Sequence, residues 1–357
     1  MMPPASWNGA WTAGIANHLW QSTAVTGIIW LLTLGLRNNH ARTRYWLWMI
    51  ASVKYLIPFS LLIAAGESLH SAFATPIREP AIASVLDQLT LPFPQAATTG
   101  GVPVGGTTSQ AAMTLAGAGS LVPVILLAVW LCGLLFVVFS WVRGWLRIRA
   151  SIRSSSRIGL LAQVPVLSSQ LSIEPGIFGI FRPVLLLPEG IHNRLTPTQL
   201  DAIIAHEMTH VRRRDNLTAS IHMVVQAIFW FHPAVWWIKT RLLEEREQAC
   251  DEVVLQSGNE ADVYAESILI VCKICLESPL ACVAGVAGSD LKRRILRIMT
   301  ERVARNLDLS RKLLLALAAI VAVTIPVASG MAHIRQADAH VLAGNSAQNL
   351  AGVWQGT

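Results

Sequence analysis

The chain has 357 residues, of which 53% are hydrophobic and only 14% charged, with a net charge of +7 and a mean hydropathy of +0.49. About 25% charged residues is usual for a soluble globular domain, so this is the composition of a membrane protein and excludes an ordinary soluble enzyme. The positive charge does not point to nucleic acid, because the basic residues flank apolar runs, as the positive-inside rule describes.

About 20 apolar residues cross a bilayer, and four runs qualify. The first, Ile15 to Leu36, is closed by Arg37 and lacks the basic flank and clear cleavage site of a signal peptide. The second, Tyr45 to Gly66, opens on the interfacial aromatics Tyr45, Trp46 and Trp48 and carries Lys54 and Pro58, so it is expected to pack on other helices. Residues 67–119, rich in Pro, Gly, Thr and Ala, are expected to form a flexible loop with at most a short helix at 81–91. The third run is Leu121 to Trp141 and the fourth Leu313 to Gly330.

Arg37, Arg42 and Arg44 lie between the first two runs. Arg143, Arg147, Arg149, Arg153 and Arg157 follow the third, and Arg302, Arg305, Arg311 and Lys312 precede the fourth, whereas the loop 67–119 holds only Arg78. The basic sides are therefore expected to be cytoplasmic. This predicts a mostly α integral membrane protein: two transmembrane helices in 1–66, an extracytoplasmic loop at 67–119 and a third helix at 120–142. A cytosolic α+β domain at 143–312, a fourth helix at 313–330 and an extracytoplasmic tail at 331–357 complete it. Both termini would then lie outside.

In the cytosolic region, Val164-Pro-Val-Leu and Pro183-Val-Leu-Leu-Leu-Pro188 read as short strands bounded by prolines, with Glu174-Pro-Gly-Ile-Phe-Gly-Ile180 as a turn feeding another. Thr196-Pro-Thr-Gln199 is a capping box with Pro at the first helical position. The helix it opens carries His206-Glu-Met-Thr-His210. Residues four apart share a helix face, so His206 and His210 can reach one ion, while Glu207 beside it can take a proton from the attacking water.

A zinc peptidase site needs a third protein ligand. In Leu243-Glu-Glu-Arg-Glu-Gln-Ala-Cys-Asp-Glu252, Glu247 stands out because Asp251 follows at i+4, so that one carboxylate can ligate and the other can hydrogen-bond a ligand histidine. Glu244 is the fallback. The apolar stretch Leu217 to Ile238 would separate His206 from Glu247 if it crossed a membrane once. Phe231-His232-Pro233 in its middle instead predicts a break and a membrane-associated hairpin over 216–246. His222 and His232 on that hairpin read as packing or turn residues. Asp215 has two readings, capping the outgoing helix or orienting a ligand histidine. Cys272-Lys-Ile-Cys275 lacks a second pair and reads as packed cysteine.

With these residues in hand, the chain resembles the BlaR1/MecR1 membrane zinc peptidases, peptidase family M56. The match rests on His206-Glu-Met-Thr-His210 with Asp215 after it, Phe229-Trp-Phe-His-Pro233 and Glu247-Gln-Ala-Cys-Asp251. Weaker echoes are Pro175 to Gly179 with Arg182 to Pro188, Tyr264-Ala-Glu-Ser267, Leu291-Lys-Arg-Arg294 and His18-Leu-Trp-Gln-Ser22. The resemblance implies a gluzincin-like protease domain in a bacterial-type inner membrane, with Zn2+ on His206, His210 and Glu247 and Glu207 as general base. It also implies a transducer that cleaves itself or a cytosolic regulator.

Tyr264 has two readings, an oxyanion donor or a packed aromatic, and the strand Pro183 to Leu187 can pair with substrate backbone as an added strand. The expected partners are the lipid membrane, a protein substrate such as a repressor of BlaI type, and a second copy of the chain, without direct nucleic-acid contact. Residues 331–357 lack a Ser-x-x-Lys and are too few for a penicillin-binding domain, so a fragment or a separate sensor chain is expected. Two rival readings are a membrane protease similar to family M48 and a catalytically silent receptor with a structural zinc.

Overall fold

The computed structural model describes residues 6–58, 121–158, 163–169, 174–276 and 288–300, with the single positions 308, 315 and 324. The expected loop 67–119 and tail 331–357 lie outside the described residues, as does the fourth run apart from Leu315 and Thr324. The chain divides into two compact units, one of Met1–Ile28, Lys54–Pro103 and Leu307–Thr357, the other of Ile29–Val53 and Val104–Asn306.

Helix α1 (Ser6–Gly35) covers most of the first expected span and begins before it. Within the first unit, His18 Nε2 lies 2.9 Å from the Tyr55 carbonyl, and Lys54 donates to Ser22 Oγ at 3.3 Å. Helix α2 (Ala41–Lys54) differs from the second expected span. It starts earlier and stops at Lys54, and its 14 residues reach only about 21 Å. Residues 59–66 lie outside the described residues.

Helix α3 (Leu121–Arg153) runs 33 residues, its most apolar window has a mean hydropathy of 2.9, and only 6% of that window is buried. Among the described residues it is the one helix long and apolar enough to cross a membrane.

The sheet of the second unit contains β1 (Ser156–Ile158), β2 (Val166–Ser169), β3 (Gly176–Phe178) and β4 (Val184–Pro188) in the order β1-β2-β4-β3. β2 and β4 are parallel, with Leu167 opposite Leu186; the two outer pairings are antiparallel. β4 is therefore interior. Both its edges are taken, so it is closed to the substrate pairing expected of Pro183 to Leu187. The outer strand on its side is β3, whose Ile177 carbonyl, like that of Gly179, accepts from Asn216 Nδ2, at 3.0 and 2.8 Å.

A short helix α4 (Ile191–Arg194) leads to α5 (Pro197–Arg213), opened by the capping box: Gln199 N–H donates to Thr196 Oγ1 and Thr196 N–H to Gln199 Oε1. Arg214 then takes a left-handed conformation, φ 56°, which ends α5 and starts α6 (Asp215–Ile228). Pro233 opens α7 (Pro233–Gln256), so the break falls at the residues before the proline, where helix is disfavoured. Helices α8 (Ala261–Leu276) and α9 (Gly288–Met299) complete the unit. Its core joins the sheet to α5 and α8 through Leu185, Leu187, Ile203, Met208, Tyr264 and Ile268. Cys272 and Cys275 pack against this core, in keeping with their reading as packed cysteines.

The hairpin of α6 and α7 seats on α3 through two indoles. Trp130 donates to the Ile228 carbonyl at 2.9 Å, and Trp230 to the Trp130 carbonyl at 3.2 Å. The contact needs a glycine: a Cβ on Gly133 would fall 2.0 Å from the Trp230 ring. Alanine normally favours a helix over glycine by about 1 kcal/mol, but here overpacking costs about 1–3 kcal/mol. Gly133→Ala is expected to lower the melting temperature of the detergent-purified chain, and a raised value would refute this packing.

Candidate active site

The helical spacing of α5 stacks His206 and His210 on one face, with ring centroids 5.0 Å apart and Nε2 atoms 3.3 Å apart. The α6–α7 turn returns the chain so that Glu247 meets them. One oxygen lies 3.4 Å from His206 Nε2 and the other 4.0 Å from His210 Nε2. One donor atom from each of the three residues falls within 4.8 Å of the others. Glu244, the fallback, instead pairs with Arg241 at 2.8 Å and Arg293 at 3.8 Å.

Each histidine is held from behind. Asp215, only 2% exposed, lies 2.7 Å from His210 Nδ1 and accepts from Arg213 Nε at 3.2 Å. The left-handed Arg214 is the cap residue of α6, which leaves Asp215 as its first helical residue, and the Asp215 carboxylate is engaged by His210 and Arg213. Of its two readings, the geometry fits orientation of the histidine. A bond at Nδ1 fixes the tautomer and turns the Nε2 lone pair forward.

Behind His206, the Tyr264 hydroxyl lies 2.8 Å from Nδ1 and donates to Asp251 Oδ1 at 2.6 Å. Tyr264 is 0% exposed. It therefore sits on the rear side of His206, away from Nε2, and not at the open side where an oxyanion donor would stand. The side chain is locked there by the buried hydrogen bond its hydroxyl needs.

Arg294 of α9 spans from the rear partners to the ligand side, where its Nη2 lies 3.4 Å from His206 Nε2. Its guanidinium grips Asp251 with two bonds, Nε to Oδ2 at 2.9 Å and Nη2 to Oδ1 at 2.7 Å, and lies 3.7 Å from Glu247. Sequence reasoning did not assign Arg294 to the site; its only signal was the Leu291-Lys-Arg-Arg294 echo. Arg246 is a second omission and donates to Glu247 Oε1 at 3.1 and 3.0 Å.

These charges set the titration of the site. Burial opposes a charge on His206, but hydrogen bonds to Asp251 and Glu247 outweigh it and hold the imidazole at about 9. Burial likewise opposes the Glu247 carboxylate, yet His206 and Arg246 hold it well below its ordinary range. Asp251, also against burial, is brought to about 2, chiefly by Arg294. Glu207, 8% exposed, is pushed up to about 7 by burial, with His206 opposing and Glu247 reinforcing the shift. A carboxyl that exchanges its proton near neutrality suits general acid–base work.

A second cluster shares His210. Cys250 Sγ lies 3.4 Å from its Nδ1 and 3.8 Å from Asp215 Oδ2, so His210, Asp215 and Cys250 also form a group with metal-ligand spacing. Burial pushes the Cys250 thiol far above its ordinary value, and a thiol is a poor ligand beside a thiolate. With Cys250 0% and Asp215 2% exposed, this side has no room for a substrate.

The model of the BlaR1 peptidase M56 family matches residues 15–298. Methicillin resistance mecR1 proteins of Staphylococcus aureus and Staphylococcus epidermidis are 27% identical over 192 residues, which cover 48% of this chain and 33% of theirs. Regulatory protein BlaR1 of Bacillus licheniformis is 27% identical over 153 residues, 42% of this chain and 24% of that protein. The chain thus spans a third or less of these curated relatives. The family match extends over well more than half of the sequence and contains the whole cluster of His206, His210 and Glu247, and the chain belongs to the BlaR1 peptidase M56 family of metallopeptidases.

Proposed function

We propose that the chain is a membrane-anchored zinc endopeptidase of the BlaR1/MecR1 signalling type, with His206, His210 and Glu247 as zinc ligands and Glu207 as general base. The observation that carries this is the convergence of two Nε2 atoms and one carboxylate while both Nδ1 atoms are turned to buried acidic or phenolic partners. Two imidazoles and a carboxylate fit zinc in a catalytic set of three ligands.

A zinc ion bound there would acidify a water and polarise the scissile carbonyl. The protein's own part is then a proton relay and a fixed frame. Glu207 takes the proton of the attacking water and returns it to the leaving amine. Asp215 and the Tyr264–Asp251 pair keep the two imidazoles from turning, which makes Tyr264 a positioning residue. Asn216 ties the Ile177 and Gly179 carbonyls to the start of α6 and so braces β3 beside α5.

Membership of the family and the long apolar helix α3 fit a multi-pass inner-membrane protein with a cytosolic protease domain. Its substrate would be the chain itself or a cytosolic regulator such as a BlaI-type repressor. Arginine placement around the apolar runs supports this orientation.

Metal removal tests the proposal. Dialysis of the detergent-purified chain against 1,10-phenanthroline is expected to abolish cleavage of itself or of a repressor substrate, and stoichiometric Zn2+ to restore it. Undiminished cleavage by the metal-free chain would reject the proposal.

A further inference from the structure

Helix α2 contributes no donor to the metal cluster, yet its buried face is unusually polar. Arg44 is 3% exposed. Its Nε donates to both oxygens of Glu245, at 2.9 and 2.8 Å, and Nη1 donates to the carbonyls of Leu36, Arg37 and Asn39. At the start of the same helix, Glu252 accepts from the Ala41 N–H at 3.1 Å and lies 3.3 Å from His40 Nδ1. A carboxylate from another helix thus serves the N-terminus of α2.

Glu245 and Glu252 are two turns apart on α7 and share a face. Glu247 and Asp251, one turn apart, occupy the opposite face, toward the histidines. One rigid helix therefore carries the clamp on one side and a metal donor on the other, with Glu245 and Glu247 separated by only about 3 Å of axial rise.

The neighbouring residue reaches the other ligand helix. The Tyr45 hydroxyl hydrogen-bonds Thr218 in the first turn of α6. Its ring lies 5.2 Å beneath the Arg213 guanidinium, which donates to Asp215, the residue that holds His210 Nδ1. Trp48 packs edge-on against Trp237 at 5.2 Å, and Ser52 lies 2.8 Å from His222 Nδ1, so the contact continues along α2. A buried ion pair is a poor source of net stability compared with an apolar pair of the same size. What Arg44 and Glu245 supply is a fixed geometry.

We propose that α2 is a positioning element of the metal centre, with Arg44 fixing the height and rotation of the Glu247 helix and Tyr45 fixing His210 through Arg213 and Asp215. The inference rests on the metal-site reading above. Metal affinity is then set from a helix that holds no ligand.

The test uses the full chain in detergent. It measures Zn2+ affinity by competition with a chromophoric chelator, and Co2+ coordination by visible absorption. Arg44→Ala and Tyr45→Ala are expected to weaken metal binding by roughly 10–100-fold, as loss of an outer support does, and to alter the Co2+ band while helix content stays at the wild-type level. If Arg44→Ala does not fold, Arg44→Lys, which keeps the charge but loses the fork, carries the same test. Wild-type affinity and Co2+ spectrum in folded Arg44 and Tyr45 variants would overturn the inference and leave the metal site standing. A wild-type chain that binds neither ion would overturn the metal-site reading, and this inference with it.

Discussion

Glu207→Gln should keep metal at the wild-type level and slow peptide cleavage by roughly 10²–10⁴-fold, the usual contribution of a positioned general base. The side chain is buried beside His206 and Glu247 and makes no hydrogen bond among those described, so the amide replaces it without breaking a structural pair. What is lost is the exchangeable proton. Metal analysis and a cleavage assay on the same preparation check both halves. Wild-type turnover would remove Glu207 from the chemistry, whereas metal bound without cleavage in either form would favour a structural metal in a silent receptor.

Glu247→Ala should lose the metal, whereas Glu244→Ala should keep it. Structural zinc sites are worth about 10–16 kcal/mol with four ligands, so removing one carboxylate is expected to cost roughly 10²–10³-fold in affinity. The alanine also leaves Arg246 without its acceptor and takes the carboxylate from beside the protonated form of His206. Glu244, in contrast, pairs with Arg241 and Arg293. Equilibrium dialysis against a zinc buffer separates the two variants. Metal retained by Glu247→Ala and lost by Glu244→Ala would reverse the assignment.

The parts of this site that were legible in the sequence are those governed by local geometry. The i, i+4 spacing of His206 and His210 needs only a helix, and Thr196, Pro197 and Gln199 supply its start. Pro233 marks the helix break, and with it the return of the chain that lets Glu247 reach the histidines. The supports were harder to read because their partners are remote. Tyr264 and Arg294 meet His206 across 58 and 88 residues, where periodicity carries no signal.

Arg44 illustrates the same limit. Beside an apolar run an arginine is adequately explained by membrane orientation, and nothing local indicates a partner 201 residues away. Nothing local in Pro183 to Leu187 shows how many neighbours the strand has. Pro183 precedes that strand and Pro188 is its last residue, so neither interrupts the ladder, and β2 and β3 cover both edges.

The central claim is the identity of the three ligands, and X-ray absorption at the zinc edge of the purified full chain tests it most directly. The account predicts imidazole nitrogens and a carboxylate oxygen at about 2.0–2.2 Å and no sulfur shell. A sulfur neighbour at about 2.3 Å would place the ion in the His210, Asp215 and Cys250 cluster and contradict the assignment of His206, His210 and Glu247.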